Sequence, residues 1–275
     1  MRALKISYTL LLLSACAFAQ VPSYLPGFPV TASKVRIAPV GGPGYLQSAY
    51  VVKPHSAAAA GGGCPTCNTG LLAYLPFEGD LSDKTALQTW AAYSTGTFAY
   101  TTGKIGQGDN AEKTGPSNLG AQSSSNIDLT LTGAWTVAVW VQVSIAPPSG
   151  NRPIWIFTGS ASGGYVKNTA ANAGTYQFFL GAFVNSTVAY VAGAWTYVIV
   201  SCSANTIRFF IDNTTGITAA SPSGQCSTYI DLIGYNNANQ WPGIIDEFGV
   251  WNRVLTAEER TALYNGGNGL AYTAW

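Results

Sequence analysis

The chain has 275 residues, of which 9% are charged and 12% aromatic, with 31 glycines and a formal net charge of +1. So few charges starve helix surfaces and favour turns and strands, which excludes an all-helical protein. Lys and Arg are scattered singly, so no patch for nucleic acid or an anionic membrane is visible, and neutral partners are expected.

Arg2 and Lys5 precede an apolar run from Ile6 to Ala15 that is too short to span a bilayer and reads as an export signal. Ala17-Phe18-Ala19 before Gln20 fits simple cleavage and a secreted protein, the preferred reading. Leu13-Ser14-Ala15-Cys16 also fits a lipobox, which would lipidate Cys16 and tether the chain to a bacterial cell envelope. A membrane is expected as a partner only in that case.

Residues 20–70 are rich in Pro, Gly and Ala and read as a linker or attachment arm. Within it, Lys34 to Ile37 and Ala49 to Val52 are candidate short strands. Cys64-Pro65-Thr66-Cys67 is open to three readings: a redox pair, half a zinc site or a local disulfide. The chain's one histidine is His55 and no second ligand pair accompanies the motif, so the local disulfide is preferred. Cys202 and Cys226 both flank strand-like runs and are expected to pair, in a compartment that permits disulfides.

From Leu71 onward the apolar residues alternate with period two. In Ala134 to Val143, the residues Trp135, Val137, Val139, Val141 and Val143 share one face, while Thr136, Ala138, Trp140 and Gln142 share the other. Both faces carry apolar residues, as expected where a sister sheet covers one side and loops partly cover the other. Similar runs follow at Tyr176 to Phe183, Ala194 to Cys202, Ile207 to Asp212 and Tyr229 to Gly234. Near the end, Thr256 and Glu259 form a capping box, and Asn265-Gly266-Gly267 stops the helix they open. Leu255, Ala262 and Leu263 are expected to dock this helix, with Glu258, Glu259 and Arg260 in water. The pattern predicts three segments: a signal over 1–19, the arm over 20–70, and a domain over 71–275. That domain is an all-β, two-sheet antiparallel sandwich with one short helix.

The segment Gly243-Ile244-Ile245-Asp246-Glu247-Phe248-Gly249-Val250-Trp251-Asn252-Arg253-Val254-Leu255, with Leu263-Tyr264 after it, resembles the closing strand and helix of laminin G-like, concanavalin A-like jelly-roll domains. Leu71 to Asp80 is similar to that family's first strand and acidic turn. Gly103 to Gly108, Trp135 to Val141 and Ala194 to Val198 with Ile207 to Asp212 are similar to its later strands and hairpin. Tyr197 and Asp212-Asn213 depart from the family pattern without threatening the fold, because Asn and Asp tolerate the positive φ of a tight hairpin turn.

The resemblance implies a structural calcium ion near Glu78, Asp80 and Asp83, with Asp246 close across the sandwich. The alternative is that these acids form turns and accept backbone hydrogen bonds. The superfamily also contains glucanases, whose paired carboxylates alternate along one strand. Asp246 and Glu247 are adjacent and so point to opposite faces, and no catalytic residue is assigned. For sugar binding, the loop Tyr235, Asn236, Asn237, Asn239 and Trp241 sets aromatic rings beside amides, while Trp155 and Tyr165 form a second candidate pair. The expected function is a secreted, non-catalytic module binding an extracellular glycan or protein surface. A structural subunit of an extracellular or virus-like assembly and a degenerate glycosidase are the alternatives.

Overall fold

The computed structural model describes residues 32–36, 48–52, 63–92, 99–110, 121–123, 131–143, 150–157, 160–168, 174–236 and 239–275. The signal segment with Cys16, and His55, lie outside them. In chain order the strands are β1 (Ala32–Arg36), β2 (Ser48–Val52), β3 (Leu71–Leu75), β4 (Trp90–Ala92), β5 (Tyr100–Thr102), β6 (Gln107–Asn110), β7 (Ala121–Ser123), β8 (Trp135–Val143), β9 (Gly150–Phe157) and β10 (Ser160–Asn168). They continue with β11 (Thr175–Phe179), β12 (Phe183–Ala189), β13 (Trp195–Ser203), β14 (Thr206–Ile211), β15 (Thr214–Ala220), β16 (Leu232–Ile233), β17 (Tyr235–Asn236), β18 (Asn239–Gln240) and β19 (Gly243–Trp251). One α-helix, α1 (Ala257–Tyr264), and two 3-10 turns follow.

The chain divides into two compact units, Met1–Ala60 and Gly61–Trp275. In the first, β1 and β2 pair antiparallel, with Lys34 opposite Tyr50, near the two short runs expected as strands. The second unit is a sandwich of two antiparallel sheets. One runs β12-β11-β10-β9-β16-β7-β4, and the other runs β15-β14-β13-β8-β19-β6-β5 with β3 on β19. Asp212 and Asn213 take φ of 49° and 59°, as the tight β14–β15 turn requires. The run Tyr176 to Phe183 is not one strand, because it turns at Leu180–Ala182, where Gly181 adopts φ 80°.

The alternation of β8 sorts its side chains between two apolar clusters. Trp135, Val137, Val139, Val141 and Val143 enter the core between the sheets, where Trp135 lies 5.4 Å from Phe178. Burying each such side chain contributes about 1.5–3 kcal/mol relative to leaving it in water. Ala138 and Trp140 point the other way, joining Tyr197, Ile199, Phe210 and Trp251 on the outer face of the eight-stranded sheet. That face is sealed by Leu255 and Leu263 of the helical segment, by Trp275, and by Cys64 and Cys67. The Cys64 N–H donates to the Ala274 carbonyl (3.2 Å), so the two ends of this unit meet there.

Both expected disulfides form, Cys64–Cys67 and Cys202–Cys226. The first is not an element of a loose arm: both cysteines are buried, and the Trp251 indole N–H donates to the Cys67 carbonyl at 2.7 Å. The capping box forms as expected, and Asn265 ends the helix in the left-handed region. Two of the three side chains expected in water are placed otherwise. Glu259 is 5% exposed and forms a bidentate pair with Arg253, and the Arg260 guanidinium lies 3.8 Å from the Phe210 ring centroid. Thr136 explains the crowding, because its hydroxyl bridges the Arg253 carbonyl and the Leu255 N–H and draws the helix start onto the sheet.

Candidate functional site

Asp246 of the closing strand is held by the 103–106 turn, and of the acids in the acidic turn Glu78 alone reaches that same segment, through the Gln107 N–H. Asp246 is fully buried; its Oδ2 accepts from the Lys104 and Ile105 N–H groups (2.8 and 2.9 Å), and its Oδ1 from the Glu247 N–H (2.9 Å). Burial pushes its carboxyl up to about 8, against the opposing pull of the Ile105, Lys104 and Glu247 donors and with a further push from Glu78. The 103–106 turn is shaped for this contact, since a methyl group at Gly103 would strike Asp246 Oδ2 and one at Gly106 would strike the Glu78 carboxylate. Glu78 Oε2 accepts from the Gln107 N–H (3.0 Å).

The remaining acids of the expected calcium set serve their own loop. Asp83 accepts from the N–H groups of Tyr74, Thr85 and Gln88 and from the Thr85 hydroxyl, and Asp80 accepts from the Ser82 N–H. Calcium needs six to eight converging oxygens. With N–H donors aimed at these carboxylates, and no cluster of three acidic, histidine or cysteine groups among the described residues, the arrangement as it stands does not form such a cage.

Asp246 and Glu247 diverge, and a bulge sharpens the divergence. The β19–β8 register slips between Asp246 and Gly249, and Glu247 takes φ 53°. Its carboxyl enters the aromatic cluster on the outer face, where burial pushes it up to about 8.

In the expected sugar loop, β17 and β18 form a hairpin with Tyr235 opposite Gln240 and Asn236 opposite Asn239. Asn237 lies outside the described residues. Trp241 is fully buried in the inter-sheet core, its indole N–H directed at the Gln142 and Ile244 carbonyls (3.3 Å each). A ring with no accessible face offers nothing to stack against, which corrects the expectation for that residue. Trp155, of the second candidate pair, is likewise a core residue, 6.2 Å from Phe248.

A different surface has the chemistry that the loop was expected to supply. Tyr176 and Phe178 of β11 enter the core, so Gln177 and Phe179 lie on the outer face of the seven-stranded sheet. Cross-strand pairing sets Gln177 beside Asn185 and Phe179 beside Phe183. The two phenyl rings meet edge to face at 4.8 Å, partly exposed, on buried Ile156 and Leu232. The Gln177 amide nitrogen donates to Asn185 Oδ1, while Gln177 Oε1 is buried without a partner. The period-two pattern of Tyr176 to Phe179 carried this signal, since it places an amide and an aromatic together on one side.

Residues 116–259 match the laminin G-type family of the concanavalin A-like lectin/glucanases superfamily. The chain belongs to that superfamily. Among solved structures, this superfamily member is similar to domain 4 of AbnA, an extracellular arabinanase from Geobacillus stearothermophilus, determined in complex with arabinotriose. The identity is 17%, the TM-score 0.57, and the match covers 70% of this chain and 96% of that one. It is also similar to the binding domain of Paraclostridial Mosquitocidal Protein 1, at 12% identity and TM-score 0.55, covering 72% of this chain and 52% of that one. A third is the botulinum neurotoxin serotype D ligand binding domain in complex with N-acetylneuraminic acid, at 12% identity and TM-score 0.51, covering 72% of this chain and 51% of that one. The chain thus spans about half the length of the toxin domains it matches. At these identities the likeness establishes the fold. No curated protein sequence matches the chain.

Proposed function

We propose that this chain is a secreted, non-catalytic recognition module that binds a neutral glycan on the outer face of its seven-stranded sheet. The observation that carries the reading is the partly exposed Phe179–Phe183 pair beside Asn185: apolar rings to lie against a pyranose face, with the Asn185 amide, held by buried Gln177, for its hydroxyls. The eight-stranded sheet offers no such surface around Trp140 and Tyr197, because the helix and Trp275 cover it. Two similar domains were solved with sugars bound, which supports a carbohydrate as the ligand class. The export signal and two disulfides support an oxidising, extracellular setting. Among the described residues no helix is long and apolar enough to cross a membrane.

The full chain, screened on a glycan array with calcium and again with a chelator, is expected to retain a defined set of neutral oligosaccharides. F179A and N185A are then expected to weaken binding about tenfold each, with little change in melting temperature. Calcium dependence would show as loss of signal with the chelator. Release of reducing sugar from a polysaccharide, abolished in D246N, would overturn the non-catalytic reading.

A second reading rests on the β1–β2 pair. A lone two-stranded hairpin is marginally stable in water, which favours its addition to a neighbouring subunit's sheet edge in an assembly. Size measurement with and without residues 20–60, which leaves the Cys64–Cys67 loop in place, separates that reading from the first.

A further inference from the structure

Glu247 occupies a place with little use for an acid. It is 6% exposed, its Oε2 accepts no hydrogen bond, and the rings of Tyr74, Trp140, Tyr197, Trp251 and Trp275 stand around it. Together they line a cavity with room for about one water molecule. This cavity lies beneath the helix and Trp275, on the opposite side of the sandwich from the proposed glycan face, and is independent of it.

We propose that this box binds an ammonium ion, its charge set against the ionised Glu247 carboxylate and its hydrogens against the surrounding ring faces. Three observations select that chemistry. Aromatic faces carry negative charge density and attract cations, and one ring of the box already does so: Lys104 Nζ lies 4.7 Å from the Trp140 ring centroid. A divalent metal is disfavoured, because the lining supplies one carboxylate and calcium requires six to eight oxygens. An apolar guest would leave the buried carboxyl oxygen without a partner.

Size sets the upper limit. Trp275 packs edge-on against Tyr74 at 4.5 Å and stacks with Trp251 at 6.0 Å, and its indole N–H donates to the Leu270 carbonyl (3.1 Å). With that ring in place the box, with room for about one water molecule, admits ammonium and excludes methylammonium and larger ammonium ions.

Tryptophan fluorescence of the full chain, titrated with ammonium chloride against sodium chloride at equal ionic strength and at a pH just above the value of about 8 to which burial pushes Glu247, tests the proposal. A saturable change with ammonium alone is expected, with none from methylammonium or tetramethylammonium. E247Q is expected to raise the half-saturation concentration about tenfold or more while the near-ultraviolet circular dichroism stays as in the wild type. W275A opens the box without touching the carboxylate and is expected to admit tetramethylammonium, with Trp140 and Trp251 still reporting. Ammonium acting like sodium, or E247Q responding like the wild type, would mean that the box holds water only. A W275A protein that takes neither ammonium nor tetramethylammonium overturns the proposal even where E247Q fails to fold.

Discussion

Asp246 closes the sandwich at one residue, because three backbone N–H groups from two distant parts of the chain end on its two oxygens. Replacing it with alanine leaves those donors buried and unpaired, a cost of about 1–3 kcal/mol each. D246A is therefore expected to lower the melting temperature by on the order of 10 °C in a calorimetric scan. A fall of only a degree or two would mean that the 103–106 turn holds itself. The sequence offered backbone acceptance as one of two roles for Asp246, but set it beside the acidic turn and not beside the 103–106 turn that holds it. The fate of Trp241 was not legible. A Trp amid asparagines reads as exposed, yet a core with a vacancy for an indole takes the ring and leaves the amides outside. Glu247 was hidden for a related reason: alternation predicts which face an acid meets, and a bulge with positive φ decides what that face encloses.

The helix was legible at the scale of the element, since Thr256, Glu259 and Asn265 are local signals and local hydrogen bonds satisfy them. What lay beyond local pattern was the second use of Glu259. Its carboxylate also grips Arg253, whose guanidinium in turn holds the Thr66 and Thr69 carbonyls next to the Cys64–Cys67 loop. Burial alone would raise the Glu259 pKa, but Arg253 and the Thr256 N–H hold it down at about 2. A depressed carboxyl contributes stability that is complete above its unfolded value of about 4.5 and is lost as pH falls through about 2. Melting temperature is accordingly expected to drop between pH 4.5 and pH 2, and E259Q, lacking that titration, is expected to flatten the drop. Equal slopes for the two proteins across that window would show that another acid controls it.

For the molecule as a whole, period two announced the sandwich, and the side chains of β8 fell on the two faces that their spacing assigned. The identity of the cover on the outer face of the eight-stranded sheet was not readable, because contacts such as Trp251 with Cys67 join residues 184 apart in sequence. Cys202–Cys226 works at this scale too, tying β13 of one sheet to the segment that leads into β16 of the other across 24 residues. Closing a loop of that length restricts the unfolded chain by about 3 kcal/mol. Reduction by a dithiol, or the C202A/C226A double variant, is expected to lower the denaturant midpoint accordingly, with a somewhat larger m-value because the unfolded chain, no longer cross-linked, exposes more surface. The meeting of Cys64 with Ala274 has a geometric corollary. A polypeptide joined near either residue is anchored on the helix-bearing flank, so the phenyl pair of the far sheet looks outward from whatever the module is strung upon. A brief peptide splice between those two points, with new termini opened at an exposed hairpin, yields a permuted protein that preserves this outward aspect.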